Sequence, residues 1–215
     1  MFRLVVFDLD GTLIDSRRDL ANATNALLVE CGAAPLLEER IGRMVGDGAA
    51  TLVTRAFDAS GTARPAGALS RFLAIYEAHL LEHTRPYSGI PAVLAALGAR
   101  ASLAVLTNKP IGSTRRILAG LDLARYFADE AVIGGDGPLP RKPDPAGLQH
   151  LIARAGVTAE STLLVGDSVI DWRTARAAST RVCLVRYGFG FDSISPADLG
   201  AHDRVIDAPD DLLEM

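Results

Sequence analysis

The sequence predicts an α/β fold built on a parallel sheet, and three observations support this. An uninterrupted apolar run typical of a buried strand, residues 4–7, lies near the start of the chain. Beyond residue 89, further strand-like runs alternate with helix-like segments almost to the C-terminus. Between these regions the pattern is helical and contains no convincing strand. Because alternating strands and helices form parallel sheets with right-handed crossovers, we expect a sheet with helices on both faces, interrupted by an all-α insertion.

The first strand ends in an unusual cluster of acids. Residues 4–7 are all apolar, which suits a strand buried on both faces, and Asp8-Leu9-Asp10-Gly11-Thr12 follows. If strand geometry continues, the Asp8 and Asp10 side chains lie on one side, roughly 6.5 to 7 Å apart. A divalent cation would remove their repulsion, and carboxylates are ligands that Mg²⁺ prefers. Taken alone, the pattern also fits an Asp-rich turn that closes a strand.

The helical insertion begins directly after these acids. Asp15 or Ser16 can cap a first helix that runs to about Cys31, and further helices are expected near residues 37–44, 48–59 and 66–83. We assign residues 15–85 to the insertion and residues 1–14 and 86–215 to the α/β core. Both connections would lie beside the carboxylates, so the insertion could close over a substrate and exclude water.

Two motifs inside the insertion have competing interpretations. Gly46, Asp47 and Gly48 form a loop before a helix, and the loop either faces the substrate and helps decide specificity or simply connects two helices. Residues 79–83 spell HxxEH, as in some zinc peptidases. That site needs further ligands and a peptidase scaffold, so a solvated helix face is the better interpretation.

The chain after residue 89 supplies the remaining elements of the sheet. Helices are expected at residues 91–97, 111–118, 145–155 and 169–178, and strands at residues 103–106, 132–133, 163–165 and 182–185. Ligands of such sheets bind outside the carboxyl ends of the strands. The residues that follow each strand are therefore the candidates for chemistry.

Polar residues suited to phosphate and metal chemistry follow three of these elements. Thr107, Asn108 and Lys109 offer a hydroxyl, an amide and an ammonium group that can bind phosphate oxygens. Lys142 lies in an extended RKPDP loop, because the following proline disfavours helix. An acid at position 167 ends a strand and another follows four residues later. Singly, these runs also fit a helix start, a surface turn and capping acids, but their occurrence as an ordered set with the first acids favours one site.

The composition excludes several classes of protein. The 215 residues are 49% hydrophobic, which is enough for a substantial core. A net charge of −4 argues against a protein that binds nucleic acid or anionic membranes non-specifically. Cys31 and Cys183 are isolated, so neither a disulfide scaffold nor a zinc knuckle is indicated. No apolar run approaches the ~20 residues of a membrane span, and we expect a cytoplasmic protein. Of 22 basic residues only Lys109 and Lys142 are lysines, which suggests that these positions need a compact ammonium group.

The four motifs together resemble the haloacid dehalogenase-like superfamily. The DxDGT run from Asp8, Thr107 after the second core strand, Lys142 in KPDP and GDSxxD from Asp167 to Asp171 look like its motifs, in order. The helical insertion, TNKP and the GGDGPLPRKPDP stretch are similar to its phosphoglycolate phosphatase-like branch. The resemblance covers nearly the whole chain and implies a Rossmann-like core with an all-α cap domain.

The resemblance also implies a role for each site residue. Asp8 would attack phosphorus and form an aspartyl-phosphate, and Asp10 would act as general acid and then general base. The Mg²⁺ ligands would be the Asp8 carboxylate, the Asp10 backbone carbonyl and Asp167. The residues implied for the phosphoryl oxygens are Gly11, Thr107, Asn108 and Lys142. Asp171 would orient Lys142 or a metal-bound water.

Several functions remain open at this level. A phosphatase that hydrolyses a small phosphorylated metabolite, phosphoglycolate first, fits the residues best. A β-phosphoglucomutase-like mutase, a pyrophosphatase and a nucleotidase of the same superfamily are alternatives. A dehalogenase would leave Asp10 without a purpose, and a non-catalytic phosphate-binding protein would hardly need Asp8, Asp10 and Lys142 together. We expect a monomer or a homodimer.

Overall fold

A computed structural model describes all 215 residues of the chain. Its eight strands are Leu4–Phe7 (β1), Ile14–Asp15 (β2), Arg85–Pro86 (β3), Ser102–Leu106 (β4), Val132–Ile133 (β5), Thr162–Gly166 (β6), Arg181–Val185 (β7) and Arg204–Ile206 (β8). Its eight α-helices are Arg17–Glu30 (α1), Glu38–Gly42 (α2), Ala49–Ser60 (α3), Ala68–Ala78 (α4), Ile90–Gly98 (α5), Ile111–Gly120 (α6), Ala146–Ala155 (α7) and Val169–Ala177 (α8). None of the helices combines the length and the hydropathy needed to span a membrane.

Six strands form one parallel sheet in the order β5-β4-β1-β6-β7-β8. The central strand β1 pairs with β4 and β6 in a register that places Phe7 beside Val105 and Val165. The carboxyl ends of these three strands therefore meet at one edge of the sheet. The predicted α/β class with a Rossmann-like parallel sheet is confirmed.

The sheet is covered on both faces, as the apolar strands predicted. Val5 and Phe7 of β1 belong to the buried cluster that includes apolar residues of α5 and α6. Leu4 and Val6 point to the opposite face, where α7 and α8 contribute buried residues. Because neighbouring residues of a strand face opposite sides, both faces require apolar positions, and this explains the unbroken apolar run of β1.

The helical insertion contains α1 to α4 and joins the core through a small antiparallel pair. Strands β2 and β3 pair Ile14 with Pro86 and Asp15 with Arg85. The buried Asp19 carboxylate of α1 accepts hydrogen bonds from the backbone N–H groups of His83 and Thr84, and from the Thr84 hydroxyl. These contacts hold the entry and the exit of the insertion side by side.

Two predicted features of the insertion differ from the structure. The last helix ends at Ala78, although the periodicity predicted a helix to residue 83. After His79 the chain turns back, because Asp19 binds the N–H groups of His83 and Thr84. His79 and His83 are indeed exposed, but they lie beyond the helix rather than on its face. Glu82 pairs with His79 at 2.6 Å.

Candidate active site

The predicted chemical residues converge at the edge where β1, β4 and β6 end. Asp8 directly follows β1, Thr107 follows β4 and Asp167 follows β6. The parallel register brings these positions to the same level of the sheet. Lys142, in the loop before α7, and Asp171, in the first turn of α8, complete the group.

Lys142 links two of the carboxylates. Its Nζ lies 2.7 Å from Asp8 Oδ1 and 2.5 Å from Asp171 Oδ1, and all three side chains are buried. Asp171 is fixed in turn by Ser168, whose backbone N–H and hydroxyl both donate to Asp171 Oδ2. The start of α8 therefore orients Asp171, and Asp171 holds the Lys142 ammonium against Asp8.

Burial and mutual repulsion alter the proton affinity of these groups. Burial, opposed by Lys142 and assisted by Asp171, raises the pKa of Asp8 to about 7. Burial, together with the charges of Asp171 and Asp8, raises the pKa of Asp167 well above its ordinary value. Burial alone would lower the pKa of Lys142, but Asp171 and Asp8 raise it above its ordinary value. The protein thus keeps Lys142 charged. The ammonium group of Lys142 alone is not enough to offset the burial and mutual repulsion of the ionised carboxylates.

The donor set suits a divalent cation with oxygen ligands. Carboxylate oxygens of Asp8, Asp167 and Asp171 lie within 4.8 Å of one another. Asp171 is occupied by Lys142 and Ser168, but Asp8 Oδ2 and Asp167 Oδ1 have no hydrogen-bond partner. The backbone carbonyl of Asp10 accepts no hydrogen bond either. These three unpaired oxygens are the ligand type that Mg²⁺ takes in proteins.

Glycines make room for the Asp167 carboxylate. Gly11 has φ +88°, and a Cβ at this position would lie 2.1 Å from Asp167 Oδ2. A Cβ at Gly188 would lie 2.4 Å from the Cβ of Asp167. The backbone N–H groups of Phe189 and Gly190 donate to Asp167 Oδ2 at 3.1 and 2.8 Å. Side chains at these glycines would displace the carboxylate from the acidic cluster.

Asp10 has a different set of partners from Asp8. Lys109 Nζ lies 2.9 and 3.0 Å from the two carboxylate oxygens of Asp10, and the Ser16 hydroxyl donates to Asp10 Oδ1 at 2.5 Å. The same ammonium lies 4.6 Å from the centre of the Tyr76 ring. Burial would lower the pKa of Lys109, but Asp10 and Tyr76 raise it above its ordinary value. The sequence suggested phosphate oxygens as partners of Lys109, whereas the structure pairs Lys109 with Asp10.

A cavity between the insertion and the core opens onto Asp8 and Asp10. Its volume is about 50 Å³, which is room for a few water molecules. The core side of the cavity is polar, and the side formed by the insertion is mainly apolar. The lining residues from the insertion are Leu20, Val45, Gly46, Gly48, Ala49, Leu52, Phe72, Leu73 and Tyr76.

Two of the predicted phosphate donors are engaged within the protein. The Gly11 N–H donates to the Ile14 carbonyl at 2.9 Å. The side-chain amide of Asn108 donates to the carbonyls of Gly46 and Lys142, both at 2.9 Å. By contrast, the backbone N–H groups of Leu9, Asp10 and Asn108 have no partner. The sequence did not single out these backbone donors, because a strand end does not reveal which N–H groups remain free.

The 46–48 loop contacts the site through its backbone. Gly46 and Gly48 line the cavity, and Asn108 binds the carbonyl of Gly46. The Asp47 carboxylate turns away and pairs with Arg55 of α3 at 2.6 Å. Of the three loop residues, the two glycines lie at the cavity and the Asp47 side chain does not.

Comparisons with known proteins agree with this architecture. The model of the haloacid dehalogenase-like hydrolase family matches residues 5–185. A phosphoglycolate phosphatase from Rhodospirillum rubrum is 45% identical over 94% of this chain and 86% of its own. An N-acetylmuramic acid 6-phosphate phosphatase from Pseudomonas aeruginosa is 33% identical over 99% of this chain and 94% of its own. The crystal structure of a predicted phosphoglycolate phosphatase from Haemophilus somnus superimposes with a TM-score of 0.90 at 30% identity, covering 99% of this chain and 97% of the other.

The family model spans the helical insertion and every strand of the sheet except β8, and the relatives align over most of the chain. The chain therefore belongs to the haloacid dehalogenase-like hydrolases, in their phosphoglycolate phosphatase-like branch, and is a phosphoric monoester hydrolase, as the sequence predicted.

Proposed function

We propose that the protein is a Mg²⁺-dependent phosphatase that hydrolyses a small phosphomonoester, 2-phosphoglycolate in the first place, through an aspartyl-phosphate on Asp8. The observation that carries the proposal is the position of Asp8. Its carboxylate has one oxygen on Lys142 and one oxygen unpaired, at the floor of a cavity that also reaches Asp10. A nucleophile and a proton donor thus border the same space.

Two displacements at phosphorus follow from this arrangement. The Asp8 oxygen attacks phosphorus, the ester bond breaks, and the Asp10 carboxyl gives its proton to the departing oxygen. A water molecule then attacks phosphorus and transfers a proton to Asp10. The bond to Asp8 breaks, which releases inorganic phosphate and restores the Asp8 carboxylate.

The remaining polar groups of the site stabilise the negative charge on the phosphoryl oxygens in both steps. The Lys142 ammonium, held by Asp171, faces Asp8 and neutralises charge that develops on the phosphoryl oxygens. The Thr107 hydroxyl and the free backbone N–H groups of Leu9, Asp10 and Asn108 bind those oxygens. We assign phosphate binding at Asn108 to its backbone, because its side-chain amide ties Lys142 to the insertion.

We assign the Mg²⁺ ligands to the Asp8 carboxylate, the Asp10 backbone carbonyl and Asp167. A bound Mg²⁺ supplies positive charge that draws the anionic phosphoryl group and the anionic nucleophile together. The four carboxylates Asp8, Asp10, Asp167 and Asp171 face only two ammonium groups, so the ionised site has two uncompensated negative charges. One divalent cation balances them.

We also propose that residues 15–85 act as a cap domain. In the present conformation the cavity has a volume of about 50 Å³, which is too small for a phosphomonoester, so substrate entry requires the insertion to move away from the core. The β2–β3 pair and the contacts of Asp19 provide a short, ordered connection for that movement. Closure then excludes water from the first displacement.

The substrate is tested by a panel of phosphorylated metabolites with and without Mg²⁺. The panel contains 2-phosphoglycolate, N-acetylmuramic acid 6-phosphate, a nucleoside monophosphate, pyrophosphate and β-glucose 1-phosphate. We expect phosphate release to have the highest kcat/KM for 2-phosphoglycolate and to stop with EDTA. Isomerised sugar in place of phosphate would favour a mutase, and undiminished turnover in EDTA would contradict the metal assignment.

Location and assembly complete the proposal. We propose that the enzyme works in the cytoplasm on a diffusible metabolite, as a monomer or a homodimer. Sedimentation of the purified protein distinguishes the two assemblies.

A further inference from the structure

Lys109 is the one basic residue that lines the cavity above Asp8 and Asp10. Its side chain is buried and its ammonium group is charged, because Asp10 lies 2.9 to 3.0 Å away. Lys142, the other lysine of the chain, contacts Asp8 and Asp171 and does not line the cavity. A leaving group that enters from the side of the insertion therefore meets a single cation.

Tyr76 presents a second polar group to the same cavity. The residue is 3% exposed, and its hydroxyl lies beside the Lys109 ammonium without reaching hydrogen-bond geometry to any group of the protein. Buried hydroxyl groups are rarely left unpaired, because they lose their bonds to water without replacement. A ligand acceptor in the cavity would satisfy the hydroxyl. Since the Lys109 ammonium lies 4.6 Å from the centre of the Tyr76 ring, one ligand group can contact both residues.

We propose that Lys109 and Tyr76 form a carboxylate subsite that binds the acid group of a short phosphorylated hydroxy acid. The inference rests on the proposed function and names the residues that recognise the substrate. In 2-phosphoglycolate, one methylene separates the ester oxygen from the carboxyl carbon. When Asp10 faces that ester oxygen, the carboxylate reaches the ammonium group that Asp10 already contacts.

The apolar part of the wall favours such short acids over larger hydroxylated substrates. Leu20, Leu52, Phe72 and Leu73 offer no hydrogen bonds. The hydroxyl groups of a sugar phosphate would lose water there without gaining a partner, and this disfavours binding. A carboxylate, in contrast, replaces its water with the Lys109 ammonium and the Tyr76 hydroxyl.

The test compares two substrates of equal length that differ in charge. The first is 2-phosphoglycolate and the second is 2-hydroxyethyl phosphate, whose leaving group is neutral. The quantity is the ratio of their kcat/KM values at saturating Mg²⁺, for the unaltered enzyme and for Lys109→Gln and Tyr76→Phe. Arg116→Gln and Tyr126→Phe are the matched controls, because both residues lie on the core outside the cavity.

We expect the unaltered enzyme to prefer 2-phosphoglycolate. Lys109→Gln should lower the ratio on the order of 100-fold, and Tyr76→Phe about 10-fold, because charged and neutral hydrogen bonds to the carboxylate are lost. The two controls should retain the original ratio. Because the Tyr76 hydroxyl makes no hydrogen bond of good geometry, Tyr76→Phe should fold and retain most of its thermal stability, which keeps the test valid if Lys109→Gln misfolds.

Two different failures can be told apart. A ratio that survives either substitution, while the unaltered enzyme prefers 2-phosphoglycolate, contradicts the subsite and leaves the proposed function intact. If Lys109→Gln lowers kcat/KM equally for both substrates, the subsite is also contradicted, because Lys109 would then act only by positioning Asp10. An unaltered enzyme without a preference for 2-phosphoglycolate contradicts both the subsite and the proposed substrate.

Discussion

Asp10 is held from two sides by residues that belong to different parts of the chain. Ser16 precedes α1 of the insertion, and Lys109 follows β4 of the core. The proposed movement of the insertion would therefore displace one partner of Asp10 and leave the other in place. The proton donor of the proposed reaction is thereby tied to closure of the cavity.

Replacing Asp10 with asparagine should separate substrates by their need for a proton. We expect Asp10→Asn to slow turnover of an alkyl phosphate such as 2-phosphoglycolate about 1,000-fold, because its alkoxide leaves poorly without protonation. The first displacement of p-nitrophenyl phosphate should lose less, because its leaving group departs unprotonated. Single-turnover measurement of product release compares these steps directly. Equal losses would speak against Asp10 as general acid.

Stability of the metal-free protein should fall as the pH rises from about 4 to 7. Asp8 has its pKa raised to about 7, and that of Asp167 is also raised, so the folded protein binds protons that the unfolded chain releases. The stabilisation is complete below the unfolded pKa and is lost as the pH passes the folded pKa. Thermal unfolding across this range measures the effect.

Asp167→Asn should weaken this pH dependence. Without metal at pH 8, we expect the variant to melt several degrees above the unaltered protein, with little difference near pH 4. Mg²⁺ should raise the melting temperature of the unaltered protein but hardly that of the variant. Asp144→Asn removes an exposed carboxylate and is the control. A variant that is less stable at pH 8, or that retains the full response to Mg²⁺, would contradict the assignment of Asp167.

The identities of the site residues were more predictable than their partners. Strand ends and motif spacing were sufficient to nominate Asp8, Lys142 and Asp167, because parallel strands bring their carboxyl ends together. The Lys109–Asp10 contact depends on rotamers and loop geometry, which sequence spacing does not specify. The sequence did not indicate a role for Tyr76, because an aromatic residue on the apolar stripe of a helix is usually a core residue.

Among the elements, the 46–48 loop is where substrate choice can be tested. Gly48 has φ +87°, and a Cβ there would lie 3.1 Å from the Arg141 guanidinium and 3.3 Å from the Asn108 carbonyl. We expect Gly48→Ala to shift the loop at the cavity. The kcat/KM for 2-phosphoglycolate should fall at least about 10-fold more than that for methyl phosphate, which uses mainly the core.

Gly61→Ala is the matched control for this change. Gly61 ends α3 in the same insertion with φ +70°, but no atom lies within 4 Å of the position of a Cβ. Gly61→Ala should destabilise the fold by about 1 kcal/mol, because alanine tolerates positive φ poorly. Gly48→Ala should cost about 2 to 3 kcal/mol, because φ +87° with ψ +166° is a conformation nearly restricted to glycine. Only Gly48→Ala should alter the ranking of substrates. An unchanged ranking in Gly48→Ala would make the loop a plain helix connection.

Long elements were predictable from periodicity, whereas short ones were not. Helices α1, α3 and α7 begin and end near the expected residues, because their apolar stripes and terminal glycines are local signals. Strand β8 was missed, because its three residues are too few to show a period. Strands β2 and β3 have two residues each and exist because the two ends of the insertion meet.

At the scale of the whole molecule, one buried apolar cluster extends from the sheet into the insertion. Phe7 of β1, Leu20 of α1 and Phe72 of α4 all belong to it. Within the cluster, Leu27, Phe57 and Phe72 pack the helices α1, α3 and α4 of the insertion together, so we expect the insertion to move as one unit in the proposed opening. We expect the catalytic residues of the core to stay fixed in this opening, while the Tyr76 side of the cavity moves.

Chemical trapping of the proposed intermediate is the most direct test of the whole scheme. Enzyme turning over 2-phosphoglycolate with Mg²⁺ is quenched in acid and reduced with borohydride, which converts an aspartyl-phosphate to homoserine, and the peptides are analysed by mass spectrometry. We predict homoserine at position 8, and none when EDTA is present or in Asp8→Asn. Modification at another residue, or continued phosphate release by Asp8→Asn, would contradict Asp8 as the nucleophile.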